Sequence, residues 1–316
     1  FVGYWVTRKL LNAGFSVKII IRSELPPHLK NLSLDVVHGD LQNKKSLENA
    51  LKDCDYLFHV AAHYKLWEKN PQIFYDVNVE GTKNLFSLAG QKGIKKIVYT
   101  SSVATIKLSN DNRPVNEESV ATLKDIVSDY KKSKFLAEQV VKKMADEGLP
   151  VVIVNPSAPV GPYDIKPTPT GAIILDFLKG KMPAYLDTGL NLVAVEDVAD
   201  GHLLACEKGK TGERYILGCK NLRLIEIFKI LEKMSDIKAP KIRLPYWFAY
   251  IAGFGSEMFA KCINKPPGVP LDGIRMAKKY MFFDSTKAIE ELGFKPASVE
   301  EALERSVNWF KKNNYV

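Results

Sequence analysis

Lys96-Ile97-Val98-Tyr99-Thr100-Ser101-Ser102 is the stretch on which the reading of this chain turns. An apolar, β-favouring run ends in two hydroxyls, the pattern of a strand buried on both faces with a functional group at its tip. Outward from it, residues 17–21, 34–37, 56–62 and 151–154 have the same character; Gly39-Asp40 closes the second run and Pro156 the last. Helical apolar spacing fills the intervals, over 2–13 with Gly14 as its stop, over 46–51, over 71–89, and around Tyr130 to near Gly148. Buried strands separated by helices predict an α/β fold, a doubly wound parallel sheet covered on both faces.

Past Pro156 the rhythm loosens, and Pro162, Pro167 and Pro169 mark an irregular segment. A helix over 198–207 and a strand over 215–217 are expected to return to the sheet. Ser298-Val299-Glu300-Glu301 reads as a capping box opening the last helix. The expected division is a sheet domain over 1–164 and 190–240, and a smaller, mainly helical substrate region over 165–189 and 241–316.

Composition narrows the function. With 316 residues, 46% of them hydrophobic, the chain can bury a large core. Cys54, Cys206, Cys219 and Cys262 are scattered without ligand spacing, which suits reduced thiols in a cytoplasmic protein. The five His form no metal-binding pattern, so no metal is expected. The net charge of +9 is mostly Lys spread along the chain. It reads as a solvated surface, with attraction of an anionic cofactor or a membrane surface as the alternative. No nucleic-acid motif accompanies it. The most apolar run, 246–263, is interrupted by Glu257 and Lys261 and falls short of the roughly 20 residues of a membrane span. It reads as a buried or pocket-covering helix, with weak contact at a membrane surface as the lesser reading.

Tyr130-Lys131-Lys132-Ser133-Lys134 places a Tyr and a Lys one helical turn apart on one face. An ammonium beside a phenol favours the phenolate and fits the Tyr for acid–base work. With 13 Tyr in so Lys-rich a chain, chance alone supplies about one or two such pairs. Context raises its weight, because a strand-end hydroxyl precedes it.

Together these segments resemble the extended short-chain dehydrogenase/reductase family, of the NAD-dependent epimerase/dehydratase type. Phe1-Val2-Gly3 is similar to the end of its TGxxGFxG turn, Gly39-Asp40-Leu41 to its GDL, and His59-Val60-Ala61-Ala62 to its HxAA strand end. Asn78-Val79-Glu80-Gly81-Thr82 resembles its NxxGT helix. Thr100-Ser101-Ser102, Tyr130 with Lys134, and Asn155-Pro156-Ser157 complete the set in the expected order. Within the family the chain most resembles the hopanoid-associated sugar epimerase group and, more loosely, dihydroflavonol-4-reductase-like proteins. Tyr64-Lys65-Leu66-Trp67, residues 164–171, residues 187–193 and Arg275-Met276-Ala277-Lys278-Lys279 carry that likeness.

The resemblance implies a Rossmann-like NAD(P)-binding domain and an enzyme that moves hydride at a secondary alcohol or ketone. It implies Tyr130 as acid/base, Lys134 as the group that lowers the Tyr pKa and holds the nicotinamide ribose, and Ser102 as second donor to the substrate oxygen. Phe1, Val2, Arg22, Asp40, Leu41, Val60, Ala61, Ala62, Thr100, Tyr130, Lys134 and Pro156 are the implied cofactor contacts. Tyr64 and Trp67 are candidates for the substrate side. An epimerase and an NADPH-dependent carbonyl reductase share this machinery, and a non-catalytic NADP-binding scaffold or sensor is the reading from a different class. The substrate is a small molecule (a sugar, a ketone or aldehyde, or a lipid-like alcohol), and a homodimer stays open. In such a fold a strand and a Gly-rich turn precede the first helix, so roughly ten residues are expected ahead of Phe1.

Two departures sharpen the expectation. Sugar-nucleotide dehydratases carry Thr-Asp-Glu where this chain has Ser102-Val103-Ala104, which disfavours water elimination. Many nucleotide-sugar epimerases continue with Val-Tyr-Gly, and here Thr105-Ile106-Lys107 follows. In such a fold the residue after the second strand, here 17–21 once the strand expected ahead of Phe1 is counted, sets cofactor choice. Arg22 stands there, suited to the 2′-phosphate of NADP, with NAD as the other option. Arg22→Asp is expected to lower the NADP/NAD affinity ratio by at least about tenfold. Titrating both dinucleotides checks this, and an unchanged ratio removes the assignment.

Overall fold

The computed structural model describes all residues except 66, 264–266 and 268–270, and leaves the side chains of 259 and 261–263 undescribed. The first half runs α1 (Val2–Asn12), β1 (Lys18–Ile21), β2 (Asp35–His38), α2 (Lys44–Ala50), β3 (Tyr56–His59), α3 (Gln72–Tyr75), α4 (Gly81–Gln91), β4 (Lys96–Thr100), α5 (Asp129–Asp146) and β5 (Val151–Pro156). The second half runs β6 (Ala158–Val160), α6 (Pro169–Leu178), β7 (Ala184–Leu186), β8 (Gly189–Ala194), α7 (Val195–Lys208), β9 (Arg214–Leu217) and β10 (Lys220–Arg223). It continues through α8 (Leu224–Lys233), β11 (Ile242–Leu244), α9 (Tyr246–Ile263), α10 (Leu271–Met276) and α11 (Val299–Lys312).

The central sheet has the order β3-β4-β5-β9, all parallel, and β9 returns to it as the pattern of 215–217 predicts. Strand side chains alternate, so each face needs its own cover. Ile97, Tyr99, Val151 and Ile153 pack with Leu85 and Phe86 of α4 and Ala137 and Val141 of α5. Val98, Val152, Val154 and Tyr215 pack the other way, with Val198 and Ala205 of α7 and with Ala288, Leu292 and Phe294. Burial on both faces explains why these strands read as unbroken apolar runs. β1 and β2 form a separate parallel pair.

A second core sits around β8, which pairs with β6 and with β10. Helices α6, α8 and α11 close over it, and Phe177 of α6 stacks on Phe228 of α8 at 5.3 Å. The division differs from the one expected. β10 and α8, placed with the sheet domain over 190–240, share their core with α6 and α11, because β10 pairs antiparallel with β8. Conversely, Ala288–Leu292 and Phe294 pack back on the central sheet. An aromatic clamp joins the two cores. Tyr163, held at a left-handed φ of 70°, stacks on Tyr4 of α1 at 4.3 Å and meets Trp309 of α11 at 5.9 Å.

The expectation for 246–263 is corrected. α9 is a helix, but Trp247, Phe248, Ile251, Phe254 and Met258 point outward and are exposed. The cause is the distribution of small residues. Ala249, Gly253 and Ala260 take the buried face, and Gly253 lets Ile274 of α10 approach so closely that a Cβ would lie 2.3 Å from it.

The helix expected over 71–89 is built from α3, a π-helical turn over Asp76–Glu80, and α4. Gly81 opens α4 against the loop after β2. A Cβ there would lie 2.8 Å from Cβ of Leu41, an atom with no freedom to swing aside. This close approach ties the NxxGT segment to the GDL segment. Gly81→Val is expected to cost about 1–3 kcal/mol by overpacking and to weaken dinucleotide binding. Denaturant unfolding and NAD(P) titration check it, and a variant as stable as the parent removes the argument.

Candidate active site

The site lies at the carboxyl ends of the parallel strands, where open α/β sheets place their ligands. Tyr130 and Lys134 occupy the first two turns of α5, with Ser128 capping the helix through Lys131 N. Two side chains fix the height of that turn. Asn78, in the π-helical turn, donates to Ser133 Oγ at 2.9 Å and to the His63 carbonyl at 3.1 Å, and accepts from His63 N at 2.7 Å. Ser133 Oγ donates to the Tyr130 carbonyl at 2.7 Å. π-turns inside helices mark functional positions, and here the bulge aims Asn78 at the turn that carries Tyr130.

Ser101 and Ser102 point to different places. Ser101 Oγ donates to the buried Glu138 carboxylate at 2.5 Å. Ser102 caps the short 3-10 turn over Val103–Thr105, accepting from Ala104 N at 3.1 Å, and its side chain lies close enough to the Tyr130 phenol to oppose the rise in its pKa. Of the two serines, Ser102 is therefore the one beside the phenol. Tyr64 lies against Tyr130 with ring centroids 4.5 Å apart, and Phe74 lies 6.4 Å away. Trp67 is half-buried and makes no ring contact with either Tyr among the described residues.

The electrostatics differ from the sequence expectation. Lys134 is buried, and its Nζ donates to Tyr99 Oη at 3.0 Å and to the Thr100 carbonyl at 2.8 Å. Burial pulls its pKa down to about 7, opposed by Glu138. Burial also pushes Tyr130 up to about 12, with the nearby Ser102 side chain as the opposing effect. Lys134 thus does not lower the Tyr130 pKa here. It spends its donors on strand β4, and a Lys with a pKa near neutrality carries only part of a charge. In this state Tyr130 is a phenol, an acid ready to donate a proton.

Glu138, which the sequence reading missed, lies two turns beyond Tyr130 on the same face of α5. Its carboxylate also accepts from Thr105 Oγ1 at 2.8 Å, Asn155 Nδ2 at 2.9 Å and Arg214 at 3.2 Å. Asn155 Nδ2 reaches on to the Ser102 carbonyl at 3.0 Å. His59, which the sequence places at the HxAA strand end, and His202, which the sequence reading missed, also support the site. Both are buried and held neutral, at about 3 and about 4, by desolvation. His59 meets Thr82 at 2.9 Å, and His202 meets the Thr100 hydroxyl at 2.7 Å. The nearest sequence signal for this group was the pairing of Asn155 with Pro156 and Ser157.

The remaining expected contacts lie at the ends of other strands and at the start of α1. Phe1 and Val2 open α1, and a Cβ on Gly3 would lie 3.9 Å from Val60. Val60, Ala61 and Ala62 follow the end of β3, with both Ala exposed. Pro156 is buried at the end of β5. Arg22, just past β1, is exposed and without an ion pair among the described residues. Asp40, two residues past β2, is half-buried, with Leu41 beside it; its Oδ1 accepts from Gln42 N at 2.9 Å.

Comparisons with known proteins give the family of the chain. The profile of the NAD dependent epimerase/dehydratase family matches residues 1–218. The chain belongs to that family. It is 44% identical over 321 residues to a Synechocystis protein provisionally named dihydroflavonol 4-reductase, covering 100% of this chain and 93% of the relative. It is 30% identical to sterol demethylase protein B of Methylococcus capsulatus over 318 residues, covering 100% and 97%. Among solved structures, that of gox2253 superposes with a TM-score of 0.89 at 41% identity, covering 100% of this chain and 96% of the other. Membership makes the chain an oxidoreductase-type enzyme of the extended short-chain dehydrogenase/reductase class.

The residues present fit a dinucleotide. A free guanidinium and a carboxylate stand at the ends of β1 and β2, and the small residues Ala61 and Ala62 at the end of β3 leave room for close approach. A buried ammonium follows at β4. The depressed Lys134 pKa has a consequence for stability. Between about pH 7 and its ordinary 10.5, the unfolded chain holds the Lys134 proton and the folded chain does not. Unfolding free energy therefore rises with pH across that window. In Lys134→Met this contribution vanishes, so the urea midpoint should climb less steeply over the same range; equal slopes would refute it.

Proposed function

We propose that this protein transfers hydride reversibly between NAD(P) and a secondary alcohol or ketone carbon. What carries the reading is the Ser102–Tyr130 pair at the tip of β4, with Lys134 one turn along α5. The nicotinamide, when bound, supplies or accepts the hydride. Tyr130 gives its phenolic proton to the carbonyl oxygen, or takes one from the alcohol in reverse. Ser102 holds the same oxygen with a second hydrogen bond, stabilising the charge that develops there. Lys134 orients the ribose, and an added anionic cofactor favours its charged form, which in turn eases proton loss from Tyr130. NADP is the favoured cofactor because Arg22 stands free where a 2′-phosphate would sit.

The substrate reading is an apolar alcohol or ketone rather than a nucleotide sugar. Tyr64 and Phe74 surround the phenol with rings, and Val103 and Ala104 offer no carboxylate for elimination. The names of the two relatives, dihydroflavonol 4-reductase (given provisionally) and sterol demethylase protein B, support the same reading. Net reduction or oxidation is therefore favoured over epimerisation of a sugar. NADPH absorbance with candidate ketones, sterols and sugars separates the outcomes: net loss means reduction, and inversion without loss means epimerisation. Tyr130→Phe should lower turnover by at least about a hundredfold while NADPH binding, read by fluorescence, stays within about threefold. Full activity in that variant would overturn the catalytic assignment.

A further inference from the structure

We infer that Lys131 and Asp272 form a substrate subsite that receives a hydroxyl group, so that the alcohol or ketone acted on at Tyr130 carries a second hydroxyl. Which end of the substrate reacts rests on the hydride-transfer reading; the subsite itself rests on Lys131. Lys131 follows Tyr130 in the first turn of α5 and is only 9% exposed. Among the described residues it makes no hydrogen bond and no ion pair. An ammonium carries three donors, and burying it with none of them used is costly. Burial accordingly pulls its pKa down to about 8. The other buried Lys at the start of this helix, Lys134, shows the ordinary solution, with its donors spent on Tyr99 and on the Thr100 carbonyl. Lys131 keeps its donors unspent one residue from the phenol.

The acids around it select the occupant. Asp129, two residues back, is engaged by the Tyr75 hydroxyl at 2.9 Å. Asp272 of α10 is the acid that acts electrostatically on Lys131, yet the two do not close into an ion pair. Its Oδ1 accepts from Arg275 at 3.3 Å, and its Oδ2 has no hydrogen bond among the described residues. Burial raises the Asp272 pKa, opposed by Arg275 and reinforced by Glu257 and Asp129. A donor without an acceptor thus stands near an acceptor without a donor. A hydroxyl accepts from the one and donates to the other. A carboxylate would satisfy Lys131 but set like charge against Asp272, and a hydrocarbon would satisfy neither.

Binding to the NADP-loaded protein tests the subsite without turnover. The probes are cyclohexanone, its ring-hydroxylated derivatives and 4-oxocyclohexanecarboxylate, titrated by saturation-transfer NMR. At least one hydroxyketone should bind at least about tenfold tighter than cyclohexanone. Lys131→Met and Asp272→Asn should each bring that ratio to within about twofold of unity, and Lys131→Arg, which keeps charge and donors, should retain most of it. A merely structural Lys131 would weaken every ketone alike and leave the ratio unchanged. Equal binding of cyclohexanone and all hydroxyketones, the mark of a subsite that holds only water, overturns the inference. So does tightest binding by the carboxylate, or a ratio that survives both substitutions. NADPH consumption with the same compounds separates this inference from the reaction. A hydroxyketone preference in binding with no NADPH consumed counts against hydride transfer and leaves the subsite standing. Reduction of cyclohexanone and hydroxyketones with equal kcat/KM does the reverse.

Discussion

Glu138 is enclosed by protein, and a carboxylate in that position survives only when matched donor for donor. Ser101, Thr105, Asn155 and Arg214 supply those donors from the end of β4, the turn after it, β5 and β9. The acceptor belongs to α5. One side chain therefore fixes the distance between the strand tip that bears Ser102 and the helix that bears Tyr130. Arg214 is itself held, since its guanidinium also donates to the Glu117 carbonyl at 2.9 Å. Removing any member would leave a buried charge or donor unmatched, at a cost of about 3–5 kcal/mol for the ion pair. Proton transfer at Tyr130 depends on this framework more than on the apolar packing around it.

The same framework explains how two titrating groups a helical turn apart come to share a site without neutralising each other. Lys134 faces strand β4 and Tyr130 faces the open end. Burial discourages the charged form of each. In the proposed reaction a bound anionic cofactor would favour the charged form of Lys134 first. Binding and activation of the acid would then be coupled through one ammonium.

Much of this was readable in the chain. The strands 97–100 and 151–154 announced themselves because both of their faces are covered, and the helix that carries Tyr130 and Lys134 lies against the strand that leads to Ser102. What escaped was set by partners distant in sequence. Glu138 reads as an ordinary polar residue on an amphipathic helix until Arg214, 76 positions away, is folded against it. β10 and α8 have the local pattern of a strand and helix, but that pattern does not say which sheet the strand joins. In α9 the apolar content was plain and its direction was not, because Gly253 and Ala249 rather than the large side chains decide which face is packed. The π-helical turn at Asn78 spans only Asp76–Glu80, too short to leave a periodic signal of its own.

The clamp of Tyr4, Tyr163 and Trp309 has a mechanical consequence. Many two-lobed enzymes swing shut on their ligands about a compliant loop. Here the connection after β6 is an aromatic rivet between the first and last helices of the chain, reinforced by Trp5 Nε1 donating to the Pro162 carbonyl at 3.0 Å. A hinge motion would part those rings and leave Tyr163 in a left-handed backbone state with nothing to offset it. The two cores are thus expected to move as one rigid body. Accommodation of different ligands falls to individual side chains at the rim, foremost Tyr64, whose ring already rests on the phenol it would have to uncover.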